Sequence, residues 1–179
     1  VNQGLVLEDP DIDAISRLFW PIRAVGMSDK YPSQFGLAPG VWSPFNYQNT
    51  SLFRELIPCY YRPLSTLRNA DIWTAYVFNK LAESMGDVIS FGNPLVKQIR
   101  NPHDLWDDLD IELVNNRGTD HLIEILREVA ISGNSYFELL VDLTNKSLEV
   151  VIERPIERES DKKMIEMFFR EYQTWNNIV

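Results

Sequence analysis

The distribution of proline limits where this 179-residue chain can form long helices. Eight of its ten prolines lie within residues 1–100, together with most of its glycines. Proline removes a backbone donor and clashes with the preceding helical turn, so this punctuation favours short strands and structured loops. Helical patterns strengthen from residue 71 onward. We therefore expect an α/β chain whose strand-and-loop front half leads into a helical tail.

Three short apolar runs in the front half are candidate strands. They are GLVLE (4–8), IRAVG (22–26) and DVISF (87–91), each with turn-forming residues beside it. Residues 35–49 contain too many glycines and prolines for a regular element. We predict a long ordered loop there, a feature that often carries function.

Apolar residues at helical spacing predict two helices, over 71–84 and 119–131. Gly86 is the expected stop of the first, and Thr119 or Asp120 the expected N-cap of the second.

The remaining sequence predicts further helix. Ser135 and Glu138 have the spacing of a capping box, in which each side chain satisfies a free backbone donor. A final helix is expected from about Ser160, with a broad aromatic stripe. We predict one domain with an appended helical layer, not two domains.

The net charge argues against one class of partner. The chain has a formal charge of -9 and a pI near 4.7. Non-specific nucleic-acid binding requires clustered basic side chains, so we expect no nucleic-acid partner. Cys59 is the single cysteine, which excludes an internal disulfide and a cysteine-based zinc site. No apolar run approaches the roughly 20 residues that cross a bilayer, so we predict no membrane segment in this chain.

The densest acidic cluster is EDPDIDAI, in which Asp9, Asp11 and Asp13 alternate with other residues. Carboxylates at this spacing can converge on a hard cation. A calcium loop of the EF-hand type is excluded, because Ala14 and Trp20 occupy the positions that need Gly and Glu. We favour the simpler interpretation, an Asp-Pro turn followed by a helix that Asp11 or Asp13 caps.

Amide side chains are concentrated in FNYQNT, residues 45–50. Asn46, Gln48 and Asn49 can each donate and accept hydrogen bonds, which suits hydroxyl-rich ligands such as sugars. The alternative is a polar turn that bonds its own backbone.

Asp71 lies two residues before Trp73 at the start of the predicted helix 71–84. A carboxylate in the first turn is favoured by the helix dipole and can cap free N–H groups. The same carboxylate, if desolvated beside Trp73, can act as a general base toward an acceptor hydroxyl. Trp73 itself is either a core residue or a platform on which a sugar ring stacks.

His103 is one of two histidines and lies in RNPHDLWDDLD. An isolated histidine is more often a satisfied surface or core residue than a metal ligand. The sequence contains no HExxH zinc motif, no phosphate-binding P-loop and no GxGxxG or GxSxG element. A nucleophilic hydrolase is therefore unsupported.

The chain contains four segments in this order: NQGLVLEDPDIDAISRL, LAPGVWSPFNYQNTSLFRE, RNADIWTAYVFNKL and NPLVKQIRNPHDLWDDL. Taken together, they resemble the STELLO family of glycosyltransferase-like proteins and, more distantly, the reversibly glycosylated polypeptides, also called UDP-arabinopyranose mutases. The resemblance extends over nearly the whole chain, because the helical tail also fits.

The resemblance implies a GT-A-type fold of which this chain is the C-terminal, acceptor-side half. Residues 1–104 would form the acceptor-side part of the catalytic domain, and residues 105–179 a helical extension packed on it. The nucleotide-sugar site, with its metal-binding DxD motif, would lie in a missing N-terminal half upstream of Val1. The implied partners are a nucleotide sugar and a hydroxyl-bearing acceptor, and the implied location is the Golgi lumen.

The resemblance also assigns roles to individual residues. Asp71 would be the catalytic base that accepts a proton from the attacking hydroxyl. A divalent cation, Mn²⁺ or Mg²⁺, would be held mostly by residues outside this chain, with His103 near the metal or the diphosphate. The implied substrate contacts are Asn49, its neighbours Asn46 and Gln48, and Trp73.

Two alternatives stay open beside glycosyl transfer. One is a non-catalytic glycosyltransferase-like module that binds or scaffolds a partner. The other is a nucleotide-sugar mutase, which only the more distant resemblance suggests.

Overall fold

The computed structural model describes residues 1–30 and 33–179. The sheet contains β1 (Asn2–Glu8), β2 (Gln34–Gly36), β3 (Thr50–Ser51) and β4 (Ser90–Gln98). The helices are α1 (Ala14–Phe19), α2 (Ala70–Met85), α3 (Leu105–Glu128), α4 (Tyr136–Glu153) and α5 (Glu159–Asn176), with short 3₁₀ helices at Arg54–Cys59 and Leu67–Asn69.

The four strands form one open mixed sheet in the order β2-β4-β1-β3. The central strands β1 and β4 are parallel, with Val6 opposite Val96, and the two edge strands are antiparallel to their neighbours. Because β1 and β4 run in the same direction, the chain must cross over between them, and α2 lies in that connection. The loop at residues 45–50 and the start of α2 both lie in this connection.

Two of the three predicted strands need correction. The run 4–8 is confirmed as part of β1, whereas 22–26 contributes only an isolated bridge between Ala24 and Glu8. Its Val25 is 95% exposed, so the segment lacks the burial that stabilises a strand. The run 87–91 enters β4 only at Ser90.

The late start of β4 follows from the end of α2. Gly86 ends the helix in the left-handed conformation, with φ of 75°, as its role as a stop predicts. The N–H of Asp87 then donates to the carbonyl of Ala82 at 2.8 Å. Asp87 thus still belongs to the helix terminus and cannot start a strand. The predicted helix 71–84 is confirmed within α2.

The predicted start of α3 is wrong. The helix begins at Leu105, and the Asp104 carboxylate caps it by accepting from the N–H groups of Trp106 and Asp107. The helix continues through Gly118, whose missing side chain leaves room for the Trp73 ring. Its last residue is Glu128, before the predicted end.

The last two helices agree with prediction. Ser135 caps α4 by accepting from the N–H of Glu138, and the Glu138 carboxylate accepts from the N–H of Asn134. The aromatic stripe of α5 is buried in the core with residues from α2, α3 and α4, including Ile165, Phe168, Phe169 and Tyr172. The coarse fold is therefore mixed α/β, with an open mixed sheet and a helical C-terminal region. Within the described ranges, the model contains no helix long and apolar enough to cross a membrane.

Candidate functional site

Asp71 is a buried carboxylate in the first turn of α2. It is 9% exposed, and its Oδ1 accepts from the N–H of Ile72 at 2.9 Å. The N-cap position belongs to Asn69, whose side chain makes no capping bond. Among the described residues, Asp71 has no cationic partner within ion-pairing distance. Its carboxylate is thus held in place without being neutralised.

Burial is the main influence on the acidity of Asp71. Loss of hydration raises the pKa of its carboxyl group above 3.8, and the negative charge of Asp11 raises it further. The backbone N–H groups of Ile72 and Tyr47 act in the opposite direction. Burial and, to a smaller extent, the charge of the Asp71 carboxylate raise the pKa of Tyr60 to about 12. A carboxylate tuned in this way suits proton transfer at a site shielded from water.

Asp71 lines two neighbouring cavities, which also share Asp11 and Arg68. The first, of about 420 Å³, we call the amide cavity, because Asn46, Asn69 and Asn116 are among the residues that line it. The second, of about 360 Å³, we call the arginine cavity, because Arg62, Arg68 and Arg100 line it. A ligand that reaches Asp71 can therefore extend toward the amide side chains of the first cavity or toward the arginine side chains of the second.

The amides of the FNYQNT loop mainly hold the loop itself. Asn46 Oδ1 accepts from Gln3 Nε2 at 3.2 Å and from the N–H of Gln48 at 3.1 Å. Gln48 Oε1 accepts from Asn46 Nδ2 and from the N–H of Asp11. These contacts match the self-bonded turn considered above. They also place Asn46 at the amide cavity and Gln48 at the arginine cavity.

Asn49 and Trp73 lie away from both cavities. Asn49 Nδ2 donates to the carbonyl of Leu5 at 3.0 Å, and its backbone carbonyl accepts from the N–H of Gly4. Trp73 is 0% exposed, and its indole N–H donates to Thr119 Oγ1 at 2.9 Å. This position leaves no ring face for a sugar and gives Trp73 a role in the core.

The three clustered aspartates separate in the structure. Asp13 caps α1 by accepting from the N–H of Ser16 at 2.8 Å, as the cap interpretation predicts. Asp9 pairs with Arg17, and Asp11 pairs with Arg100.

His103 lies outside both cavities, with its Nδ1 3.4 Å from Asp108 Oδ2. Asp108 also pairs with Arg68, which connects His103 indirectly to the residues around Asp71. Over residues 1–30 and 33–179, no three His, Cys, Asp or Glu side chains are grouped to hold a metal ion. The metal role of His103 stays a prediction.

Several cavity residues were not singled out from the sequence. Arg68 and Asn69 lie within three residues of Asp71, so their proximity could have been recognised. Glu112 comes from α3, where it accepts from Arg68 Nε and from the N–H of Ala14. The tertiary fold brings Glu112, Arg62 and Arg100 to the cavities. No local sequence pattern predicts their position there.

No model of a protein family matches this chain, and no curated protein sequence matches it.

Proposed function

We propose that this chain is the acceptor-binding part of a glycosyltransferase-like domain that uses a nucleotide sugar, with Asp71 as the general base. The observation that carries the proposal is a buried carboxylate with a raised pKa that lines two cavities and has no cation paired with it among the described residues. The amide cavity offers donors and acceptors that suit hydroxyl groups.

The proposed chemistry is a direct displacement. The acceptor hydroxyl gives its proton to the Asp71 carboxylate while its oxygen forms a bond to the anomeric carbon of the donor sugar. The bond from that carbon to the diphosphate breaks, and the nucleoside diphosphate leaves with the bonding electrons. A positioned base contributes roughly 10²–10⁴-fold to such a step.

The resemblance implies that Mn²⁺ or Mg²⁺ would assist departure of the diphosphate. The resemblance places the metal ligands mostly outside this chain, and no three metal-ligating side chains are grouped among the described residues. We therefore assign no step in this chain to a metal.

A second candidate, a non-catalytic module that docks on a partner, is favoured by a different observation. Large apolar side chains are strongly exposed in α1, in the segment after it and around the end of β4, and such side chains mark an interaction site where they adjoin one another. They include Phe19, Val25, Leu95 and Ile99. If this candidate is correct, nucleotide sugars should neither bind nor turn over.

The test is Asp71→Asn, with Asp120→Asn as the matched control, because Asp120 is exposed on α3. In the full-length protein that contains this chain, release of nucleoside diphosphate from a panel of UDP-sugars with hydroxyl-bearing acceptors would be measured with Mn²⁺ or Mg²⁺ present. We expect Asp71→Asn to lower kcat/KM by about 10²–10⁴-fold with no loss of thermal stability, and Asp120→Asn to keep activity. Full turnover by Asp71→Asn would contradict the assignment. A lack of turnover and of binding in the native protein would favour the second candidate.

A further inference from the structure

The arginine cavity is rich in basic side chains although the protein as a whole is strongly acidic. Three guanidinium groups line it, against the carboxylates of Asp11 and Asp71, in a chain whose formal charge is -9. The carboxylate of Asp11 is already neutralised by Arg100, with Nη1 and Oδ1 2.5 Å apart. Arg68 is paired with carboxylates too, so Arg62 is the guanidinium of this cavity that has no carboxylate partner among the described residues, and it favours an anionic ligand.

Two of the arginines are held in fixed positions by carboxylates. Arg100 is bound by Asp11, and its side chain is only 11% exposed. Arg68 is bound by Asp108 at 3.0 Å and by Glu112 at 3.1 Å. A guanidinium has five N–H donors, so one paired in this way keeps donors for a second acceptor. These ion pairs orient the guanidinium groups of Arg68 and Arg100 before a ligand binds.

Arg62 differs from the other two because it is exposed and forms no ion pair or hydrogen bond within the described part of the chain. Its charge lowers the pKa of Tyr47, against the larger effect of burial, which raises it. Arg62 therefore lies close to the cavity wall formed by Tyr47. Its planar fork is available for bidentate contact with an oxyanion.

We propose that the arginine cavity binds a phosphate or carboxylate group on the same ligand whose hydroxyl reaches Asp71, with Arg62 as the principal contact. This inference deepens the proposed function and rests on it for the hydroxyl group. The acceptor class is then an acidic or phosphorylated sugar or polyol. The first turn of α2 also borders the cavity at Ala70, and the positive end of its helix dipole favours an anion there.

The cavity size agrees with a ligand of this kind. Its volume of about 360 Å³ is within the range of small-molecule sites, roughly 300–1,000 Å³. Asp71 lines both cavities, so one ligand can present a hydroxyl to Asp71 and an anionic group to Arg62.

The experiment compares glucose, glucose 6-phosphate and glucuronate as probes that share one pyranose ring and differ in the charge carried at C6. Binding to the native protein, Arg62→Gln and Arg54→Gln would be measured by calorimetry or NMR titration. Arg54 is the matched control, because it is exposed, lines neither cavity and forms no ion pair within the described ranges. Both variants change the net charge equally. The two anionic probes distinguish a phosphate ligand from a carboxylate ligand.

We expect at least one anionic probe to bind more tightly than glucose, and Arg62→Gln to weaken it by about tenfold or more through the lost charge-assisted hydrogen bonds. Arg54→Gln should bind like the native protein. Equal affinity for all three probes, a lack of saturable binding, or equal losses in both variants would each overturn the proposal. Binding does not depend on turnover. Anion binding that persists in a protein without glycosyl transfer would therefore support this inference while refuting the proposed function.

Discussion

At Asp71, solvation and hydrogen bonding act on one carboxylate in opposite directions. Burial raises its pKa, whereas the backbone N–H groups of Ile72 and Tyr47 lower it. Burial is the larger effect, so the group holds its proton more tightly than a free aspartate does. A simple helix cap would show the reverse, because a cap is stabilised by its negative charge.

This difference gives a prediction about pH and stability. A carboxyl group whose pKa is raised on folding contributes stability that is fully present below 3.8 and is lost as the pH rises through the raised pKa. We therefore expect the native protein to lose stability relative to Asp71→Asn as the pH rises through that window. Urea denaturation of both proteins across the pH range measures this difference. A constant difference at all pH values would show that the pKa is not raised.

Asn49 lies against Gly4 of β1, and this contact helps to determine where the FNYQNT loop lies. A side chain at Gly4 would place its Cβ 2.1 Å from Asn49 Nδ2 and 2.6 Å from its Cγ. The missing side chain therefore lets Asn49 lie across β1 and donate to Leu5. In this way the contact holds the neighbouring amides at the two cavities.

We predict that Gly4→Ala lowers the free energy of unfolding by about 1–3 kcal/mol, because the Asn49 amide is displaced. In an Asn49→Ala background the same change should cost less, since the clashing atoms are gone. A double-mutant cycle from urea denaturation measures this coupling. Equal costs in both backgrounds would mean that Asn49 does not determine the need for glycine.

How far the site could be predicted from sequence depends on the distance along the chain between its parts. Asp71 and its position at a helix start follow from local periodicity, and Asp13 as a cap follows from its own neighbours. Arg62 precedes α2 and Arg100 follows β4, and the tertiary fold brings both to a cavity that Asp71 lines. Trp73 shows a second limit of prediction from sequence. Helical periodicity indicates which face of a helix is buried, but it does not show whether a tryptophan has a ring face that is free to contact a ligand.

At the scale of elements, helices with clear caps were the most predictable. The S-x-x-E spacing located the start of α4, and Gly86 located the end of α2. The sequence does not predict the start of α3, because Gly118, a residue that weakens helices, lies just before the expected start at residue 119. The structure explains the glycine through packing, since an added Cβ would lie 3.1 Å from the Trp73 ring. The strands were predicted less well because their residues are stabilised by partners distant in sequence.

The assignment of the α3 start can be tested directly. Asp104→Ala removes the carboxylate that accepts from Trp106 and Asp107, and we expect it to cost about 1 kcal/mol of stability. Asp120→Ala is the matched control, because Asp120 is exposed within the helix. It should be neutral or slightly stabilising, since alanine is the better helix former. Thermal or urea denaturation measures both, and the reverse order would indicate that the helix starts near Asp120.

At the scale of the whole molecule, the helical tail and the front half share one core. Trp73 of α2 packs edge-to-face against Phe168 of α5, with ring centroids 5.3 Å apart. Phe168 also contacts Phe169 and Tyr172, and all three rings are buried. Because α2 connects β1 to β4, the packing of α5 supports the crossover that positions the sheet and Asp71.

From this arrangement we predict that a destabilising substitution in α5 also destabilises the sheet. Phe168→Ala removes a fully buried ring and should lower the free energy of unfolding by about 3–5 kcal/mol. Backbone amides bonded between β1 and β4 should then exchange hydrogen faster, together with those of α5, because one cooperative unit opens as a whole. Met167→Ala, at a 41% exposed position of the same helix, is the control and should leave exchange in the sheet nearly unchanged. If the sheet amides keep their protection in Phe168→Ala while those of α5 lose it, then residues 1–104 fold independently of residues 105–179.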